Sequence, residues 1–152
     1  MREILFRGKD NNTKGVGWVY GYYVKIRSVL GGEFSHMIYT GVLDYDWTIP
    51  ESYFPTRAVN HHVDPASIGE YTGLTDKNGV KIFCGDIVRS PAGCWPNIYG
   101  PDLLGTIEFF RGCFSVRWHD SENYGIDPLS AFRWLDVVGN IYDNPPEGDS
   151  HA

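Results

Sequence analysis

Between positions 16 and 26 the chain alternates. Val16, Trp18, Tyr20, Tyr22, Val24 and Ile26 carry large apolar or aromatic side chains, and Gly17, Val19, Gly21, Tyr23 and Lys25 stand between them. A period of two in aromatic and β-branched residues predicts a β-strand, because successive side chains of an extended chain point to opposite faces. Met1–Arg7 reads as a shorter strand, and the polar run Lys9–Gly15 as the turn that joins the two into an opening hairpin. The Tyr and Trp at alternate positions are expected to pack in the core or on the hairpin face. Gly31-Gly32 breaks the pattern, after which Phe34–Leu43 reads as a further strand. From Asp44 to Asn60 aromatics mix with Pro50 and Pro55 and no period survives, which predicts an extended loop with at most a short strand.

The second half alternates more regularly. Asp64-Pro65 suits a helix start, Asp as cap and Pro in the first turn, but Gly69 leaves room for one turn only. Asn78-Gly79 is a strong turn signal leading into Val80–Cys84, and Gly85-Asp86-Ile87-Val88 then opens another strand. Glycine allows a sharp bend there, and the aspartate is placed to bond nearby amides. The same tetrad resembles the first strand of small SH3-type barrels. Ser90–Asp102, with Pro91, Pro96 and Pro101, is expected to be a loop. Thr106–Phe110 and Cys113–Trp118 form a hairpin about Arg111-Gly112, the second arm alternating Phe114, Val116, Trp118 against Ser115, Arg117, His119. Asp127-Pro128 repeats the helix-start signal, predicting a short helix over Pro128–Leu135, and Val137–Tyr142 reads as a last strand. The pattern is all-β, mainly antiparallel strands with one or two short helices. Residues 1–60 read as an amino-terminal hairpin and sheet region, 61–144 as a barrel region and 145–152 as a disordered tail, the whole forming one compact unit.

Composition narrows the class. Of 152 residues 15% are aromatic and 42% hydrophobic, enough to bury a core and to exclude a disordered chain. No apolar run approaches the roughly 20 residues that span a bilayer, so no membrane is expected. The charged start lacks a signal-peptide core, and the expected compartment is the cytoplasm. Cys84, Cys94 and Cys113 fit neither a disulfide framework nor paired zinc ligands, so reduced thiols are expected. Net charge is −6 but uneven: residues 1–30 hold six basic groups against two acidic ones, and the remainder holds seven against seventeen. The acidic remainder disfavours direct nucleic-acid binding, and the asymmetry reads either as ordinary solvated surface or as a basic face that meets an acidic one in the same chain or in a neighbouring subunit.

Chemistry is sparse. There is no phosphate loop, no Gly-x-Gly-x-x-Gly, no nucleophile elbow and no His-Glu-x-x-His. His61-His62 invites a metal argument, but neighbours on a strand point opposite ways and chelate one ion poorly. No catalytic residue, cofactor or metal site is expected. An enzyme would require His61, Asp64, Asp86 and His119 to converge. Trp95 and Tyr99, aromatic within a loop, are the expected interaction surface.

Three blocks together resemble the YopX family of phage and prophage proteins: Arg2–Arg7 with Val19-Tyr20-Gly21, the long segment Ile68–Val88, and Val137–Pro145. Cys84 departs from the pattern, which more often places an acid before Gly-Asp-Ile-Val, and this weakens any catalytic acid at that position. The resemblance implies a β-rich fold with an SH3-type barrel in its carboxy-terminal half, and it brings no catalytic residues. The expected function is a phage or prophage accessory protein of the bacterial cytoplasm, a non-enzymatic interaction module that binds a host or phage protein and forms a homo-oligomer. The alternative is a nucleic-acid-associated protein or an acidic DNA mimic.

Overall fold

The structure is a computed structural model that describes residues 1–11, 17–27, 29–40 and 59–145. Residues 12–15 of the expected turn, 41–43 of the expected strand, 44–58 of the expected loop and 146–152 of the expected tail lie outside the described residues. The chain divides into two compact units, Ile4–Ile68, and Met1–Glu3 with Gly69–Ala152.

The first unit holds β1 (Phe6–Lys9), β2 (Trp18–Arg27), β3 (Phe34–Thr40) and β4 (Val59–His62) in the antiparallel order β4-β3-β2-β1. The first strand lies later than the expected Met1–Arg7. Its pairing partner fixes it, with Phe6 opposite Gly21 and Lys9 opposite Trp18. Val19, Ile38 and Val63 form the core, with Phe6 and Ile68 packed against it. Of the two placements expected for the alternating tyrosines, Tyr20 and Tyr22 take the hairpin face and not the core. Val19 and Gly21 turn inward, while Tyr20 and Tyr22 face outward and are exposed. A side chain at position 21 would collide with the carbonyl oxygen of Tyr39, so the small-residue face lies flush against β3. Asp64 caps a single 3-10 turn at Pro65–Ser67, its side chain accepting from the Ala66 amide at 3.0 Å, as the one-turn reading requires.

The second unit begins with the hairpin of β5 (Gly69–Thr75) and β6 (Lys81–Phe83), closed through Gly79 at φ 82°. A strand beginning as early as Gly69 was not among the sequence expectations. There follow β7 (Asp86–Ser90), β8 (Leu103–Phe110), β9 (Cys113–Trp118), α1 (Ser121–Tyr124), β10 (Ile126–Pro128) and β11 (Asp136–Asn140). These last five strands make one antiparallel sheet in the order β10-β9-β8-β7-β11. Its edges are β10 and β11, so the sheet is not closed. Its core centres on Val88, Ile107, Val116, Trp118, Leu129 and Leu135. The β8–β9 hairpin turns in two residues, Arg111 at φ 49° and Gly112 at φ 84°, the primed geometry whose twist suits a tight hairpin. Tyr71, Ile82 and Phe83 are buried, whereas Leu74 is exposed.

The expected Pro128–Leu135 helix does not form. Asp127 and Pro128 belong to β10, paired with β9, and only a 3-10 turn at Leu129–Ala131 follows. The reason is a distant partner. The Asp127 carboxylate accepts the indole N–H of Trp118 at 2.8 Å and so is turned away from the amides it would have capped. Cys84, Cys94 and Cys113 are unbridged thiols. Among the described residues no helix is long and apolar enough to cross a membrane.

Candidate functional site

The longest described loop of the second unit, Pro91–Asp102, leaves β7 and returns to β8. It is fastened at both ends. The Ala92 amide donates to Asp102 Oδ1 at 2.8 Å, and Asp102 Oδ2 lies 3.6 Å from the Arg89 guanidinium. Midway, the Trp95 carbonyl accepts from Ser90 Oγ and from Trp134 Nε1, each at 3.3 Å. The Trp95 ring stacks on Phe132 at 5.2 Å, and Phe132 stands edge-on to Trp118 at 5.3 Å and to Trp134 at 5.9 Å. Thus a ladder of aromatic rings runs from the buried Trp118 to the surface. The peptide bond between Trp95 and Pro96 is cis. Asn97 Nδ2 donates to the Pro101 carbonyl at 3.3 Å, closing the tip.

The two sequence-predicted interaction residues therefore play different parts. Trp95 is 46% exposed, yet half of it is structural, because its ring covers Phe132 and its carbonyl takes two bonds. Tyr99 is 97% exposed, with Ile98 beside it. A large aromatic presented on a fixed loop adds contact area at little cost in side-chain entropy, which favours recognition. Sequence reasoning missed Phe132 and Trp134 as the platform beneath the loop, because the expected helix over Pro128–Leu135 hid their alternate spacing.

The long Ile68–Val88 motif spends its polar side chains on the fold. Asp76 Oδ1 accepts from the amides of Asn78 (2.8 Å) and Val80 (2.9 Å), and Oδ2 from the amide of Val137 (3.1 Å). Asp136 receives Arg89 at 2.8 Å, Lys77 at 2.9 Å and Asn78 Nδ2 at 3.1 Å. The Arg89 guanidinium first, and then the Lys77 ammonium, hold the Asp136 carboxyl below its ordinary value. Asp86 is buried at the turn between β6 and β7 and accepts from the Phe83 amide at 2.8 Å, beside Gly85 at φ 88°.

Each candidate acid or base is engaged locally. Asp64 caps its 3-10 turn and Asp86 holds its own turn. His119 Nε2 meets Thr106 Oγ1 at 2.9 Å, and desolvation lowers the pKa of its ring. His61 and His62 point to opposite faces of β4, as adjacent strand residues must, lying opposite Ile38 and Met37. His61 Nδ1 meets the buried carboxylate of Asp10 at 2.7 Å and Nε2 approaches Thr40 Oγ1 at 3.3 Å. Acid, imidazole and hydroxyl stand there in the order of a nucleophile relay, but their evident work is to tie the end of β1 to β4 and β3. Among the described residues no three His, Cys, Asp or Glu are grouped to hold a metal ion.

Surface hollows lie among the described residues of both units. One of about 520 Å³ in the first unit is lined by Lys25, Glu33, Phe34, His36 and His62. One of about 450 Å³ in the second is lined by Leu74, Phe109, Phe114 and Leu129, with the Arg2 guanidinium 5.4 Å above the Phe114 ring.

Compared with known families, residues 6–146 match the family model described as YopX protein. No curated protein matches the chain.

Proposed function

The chain belongs to the YopX family, and from that premise we propose that it is a non-catalytic protein-interaction module of a phage or prophage, acting in the cytoplasm of a bacterial host. The observation that carries this reading is Tyr99, 97% exposed at the tip of a loop whose base is anchored through Trp95 to Phe132 and Trp134. A loop held this firmly needs no ring in water for its own stability, so the exposed tyrosine is explained by a partner that covers it. The charged side chains of the long motif are occupied with the fold, leaving the loop as the surface open to selection for binding.

The carboxy-terminal half is, in the same proposal, an SH3-type barrel left partly open. Its support is the strand order β10-β9-β8-β7-β11 together with the 3-10 turn at Leu129–Ala131 between the last two strands. On that reading the aromatic loop joins the first two strands of the barrel. Self-association belongs to the proposal as well, supported by the basic start and the acidic remainder of the chain.

The test is affinity capture from lysogenic or infected host lysate with the tagged chain, divided into nuclease-treated and untreated halves. The reading expects a protein partner that survives nuclease and is lost from an Ile98→Ala, Tyr99→Ala variant of unchanged circular dichroism. Trp95 is left intact in that variant because its removal would loosen the loop. Partners that all vanish on nuclease treatment, or that the folded variant retains, would overturn it.

A further inference from the structure

We propose that Asn97 and Gly100 are positioning residues. They hold Ile98 and Tyr99 as a preformed turn, so that a partner protein meets a rigid knob and takes it in an apolar pocket. The inference rests on the reading of Tyr99 as the interaction residue and assigns what orients it.

The loop is built of turns. The Cys94 amide donates to the Pro91 carbonyl at 3.1 Å, and the Gly100 amide donates to the Asn97 carbonyl at 3.4 Å. The second bond closes a turn whose two central residues are Ile98 and Tyr99. Asparagine at the first position and glycine at the last are residues that such a turn favours. A backbone bond of that length is weak, and the Asn97 side chain supplies a second tie. Its Nδ2 donates to the Pro101 carbonyl at 3.3 Å, beyond the turn. To reach it the amide crosses over Gly100, in the place that a Cβ there would fill. The Gly100 backbone is not among the left-handed glycines, so space rather than conformation calls for glycine at this position.

The turn is posted on either side. Trp95 is fixed through its ring and its carbonyl two residues before Asn97, and Leu103 pairs with Ser90 two residues after Pro101. The short span between these posts is what Asn97 locks. A tip ordered before binding is not charged the entropy of ordering on contact. Its shape and composition say what fits. Two side chains at the centre of a turn make a convex tip, which suits a pocket and not the pairing of strands. Residues Pro96 to Pro101 carry no charge, so the pocket they fit is apolar.

The test uses the full chain and two readouts. The first is backbone NMR relaxation of the free protein. The amides of Ile98, Tyr99 and Gly100 should show order parameters near those of β8, about 0.85, and Asn97→Ala should lower them below about 0.6. The β8 amides and the urea midpoint should not move. A wild-type tip already below about 0.6, or one that Asn97→Ala leaves rigid, overturns the proposal whatever the capture shows. The second readout is capture from the nuclease-treated host lysate at graded amounts of tagged chain. Asn97→Ala and Gly100→Ala should each raise the half-capturing amount about 5-fold, the worth of one hydrogen bond expressed as a population. The double variant should raise it no further, because Gly100→Ala already displaces the Asn97 amide. Additive losses, or none, overturn the positioning role. A half-capturing amount that climbs steeply between about 0.05 and 0.5 M salt overturns the apolar pocket. Capture that survives Ile98→Ala, Tyr99→Ala overturns the reading of Tyr99 and this proposal with it, whereas failure of the Asn97 and Gly100 variants alone leaves that reading standing.

Discussion

Asp76 lies in the middle of the segment that most strongly marks the family, so its role decides whether that segment is chemistry or scaffold. It is buried, and its carboxylate collects three backbone amides, at 2.8 Å and 2.9 Å from its own turn and at 3.1 Å from Val137 across the unit. Hydrogen bonds to a charged acceptor are each worth about 1.5–3 kcal/mol net. They do not add fully, because water reaches the two turn amides once the side chain is gone. Asp76→Ala should therefore cost about 3–5 kcal/mol, a large part of the 5–15 kcal/mol that ordinarily holds a domain together. Asp76→Asn separates geometry from charge. Its remaining carbonyl oxygen can still serve Asn78 and Val80, but its amide would face the Val137 N–H donor to donor, for a loss of roughly 2 kcal/mol. The assay is urea unfolding of the full chain, followed by tryptophan fluorescence, which reports the buried Trp118, and by circular dichroism. With a denaturant slope near 2 kcal/mol per molar, the midpoint of Asp76→Ala should fall by about 2 M, and that of Asp76→Asn by about half as much. If Asp76→Ala unfolds within 1 kcal/mol of the wild type, the three amides do not depend on it, and the scaffold reading of the motif is wrong.

Two further predictions concern protons and the first unit. Asp136 has its folded-state pKa lowered beneath 3.8, chiefly by Arg89 and then by Lys77, so its contribution is present above that value and is lost as pH falls through the folded one. Acid unfolding should show this loss, and Asp136→Asn should flatten it; an unchanged acid limb would refute the assignment. His119, lowered below 6.5 by desolvation, acts in the same sense but earlier, favouring the unfolded chain as pH drops below 6.5. His119→Gln should remove that slope from the stability profile. His61→Ala withdraws the imidazole held 2.7 Å from the buried Asp10 carboxylate and should cost about 2 kcal/mol, read as a lower thermal midpoint, whereas Thr40→Val should cost under 1 kcal/mol. Equal losses from the two would refute the assignment of the greater share to the His61–Asp10 contact.

What the sequence disclosed and what it concealed divide along the range of the interactions. The Asp64 cap, the Asn78-Gly79 turn, the Arg111-Gly112 hairpin and the Asp86–Phe83 bond are settled within four residues, so composition and spacing sufficed. The Asp127-Pro128 signal was equally local and misled, because Trp118, nine residues earlier, claims the Asp127 carboxylate. Alternation along β2 announced a strand with two unlike faces but not which one turns inward. Gly21, where a side chain would strike Tyr39, decides that against the tyrosines. Trp95 and Tyr99 were legible as a pair of loop aromatics, yet their division into anchor and probe depends on Phe132 and Trp134, more than thirty positions on.

That division bears on where function can reside in such a molecule. Asp76, Asp136 and Asp86 are polar side chains of the kind from which active sites are built, and each is committed to amides or cations that fix turns and strand ends. Asp76 and Asp136 each hold three donors, which leaves little capacity for a substrate, and recruiting either would cost the bonds that place it. The side chains whose exposure the fold does not require lie elsewhere. Tyr99 and Ile98 stand on a loop braced from beneath by Phe132 and Trp134, and among the described residues no contact of the fold uses the Tyr99 ring. If binding is the reason for that exposure, Ile98→Ala, Tyr99→Ala should abolish partner capture while shifting stability by no more than about 0.5 kcal/mol, as surface substitutions usually do. A larger loss of stability would mean that the two side chains serve the loop itself.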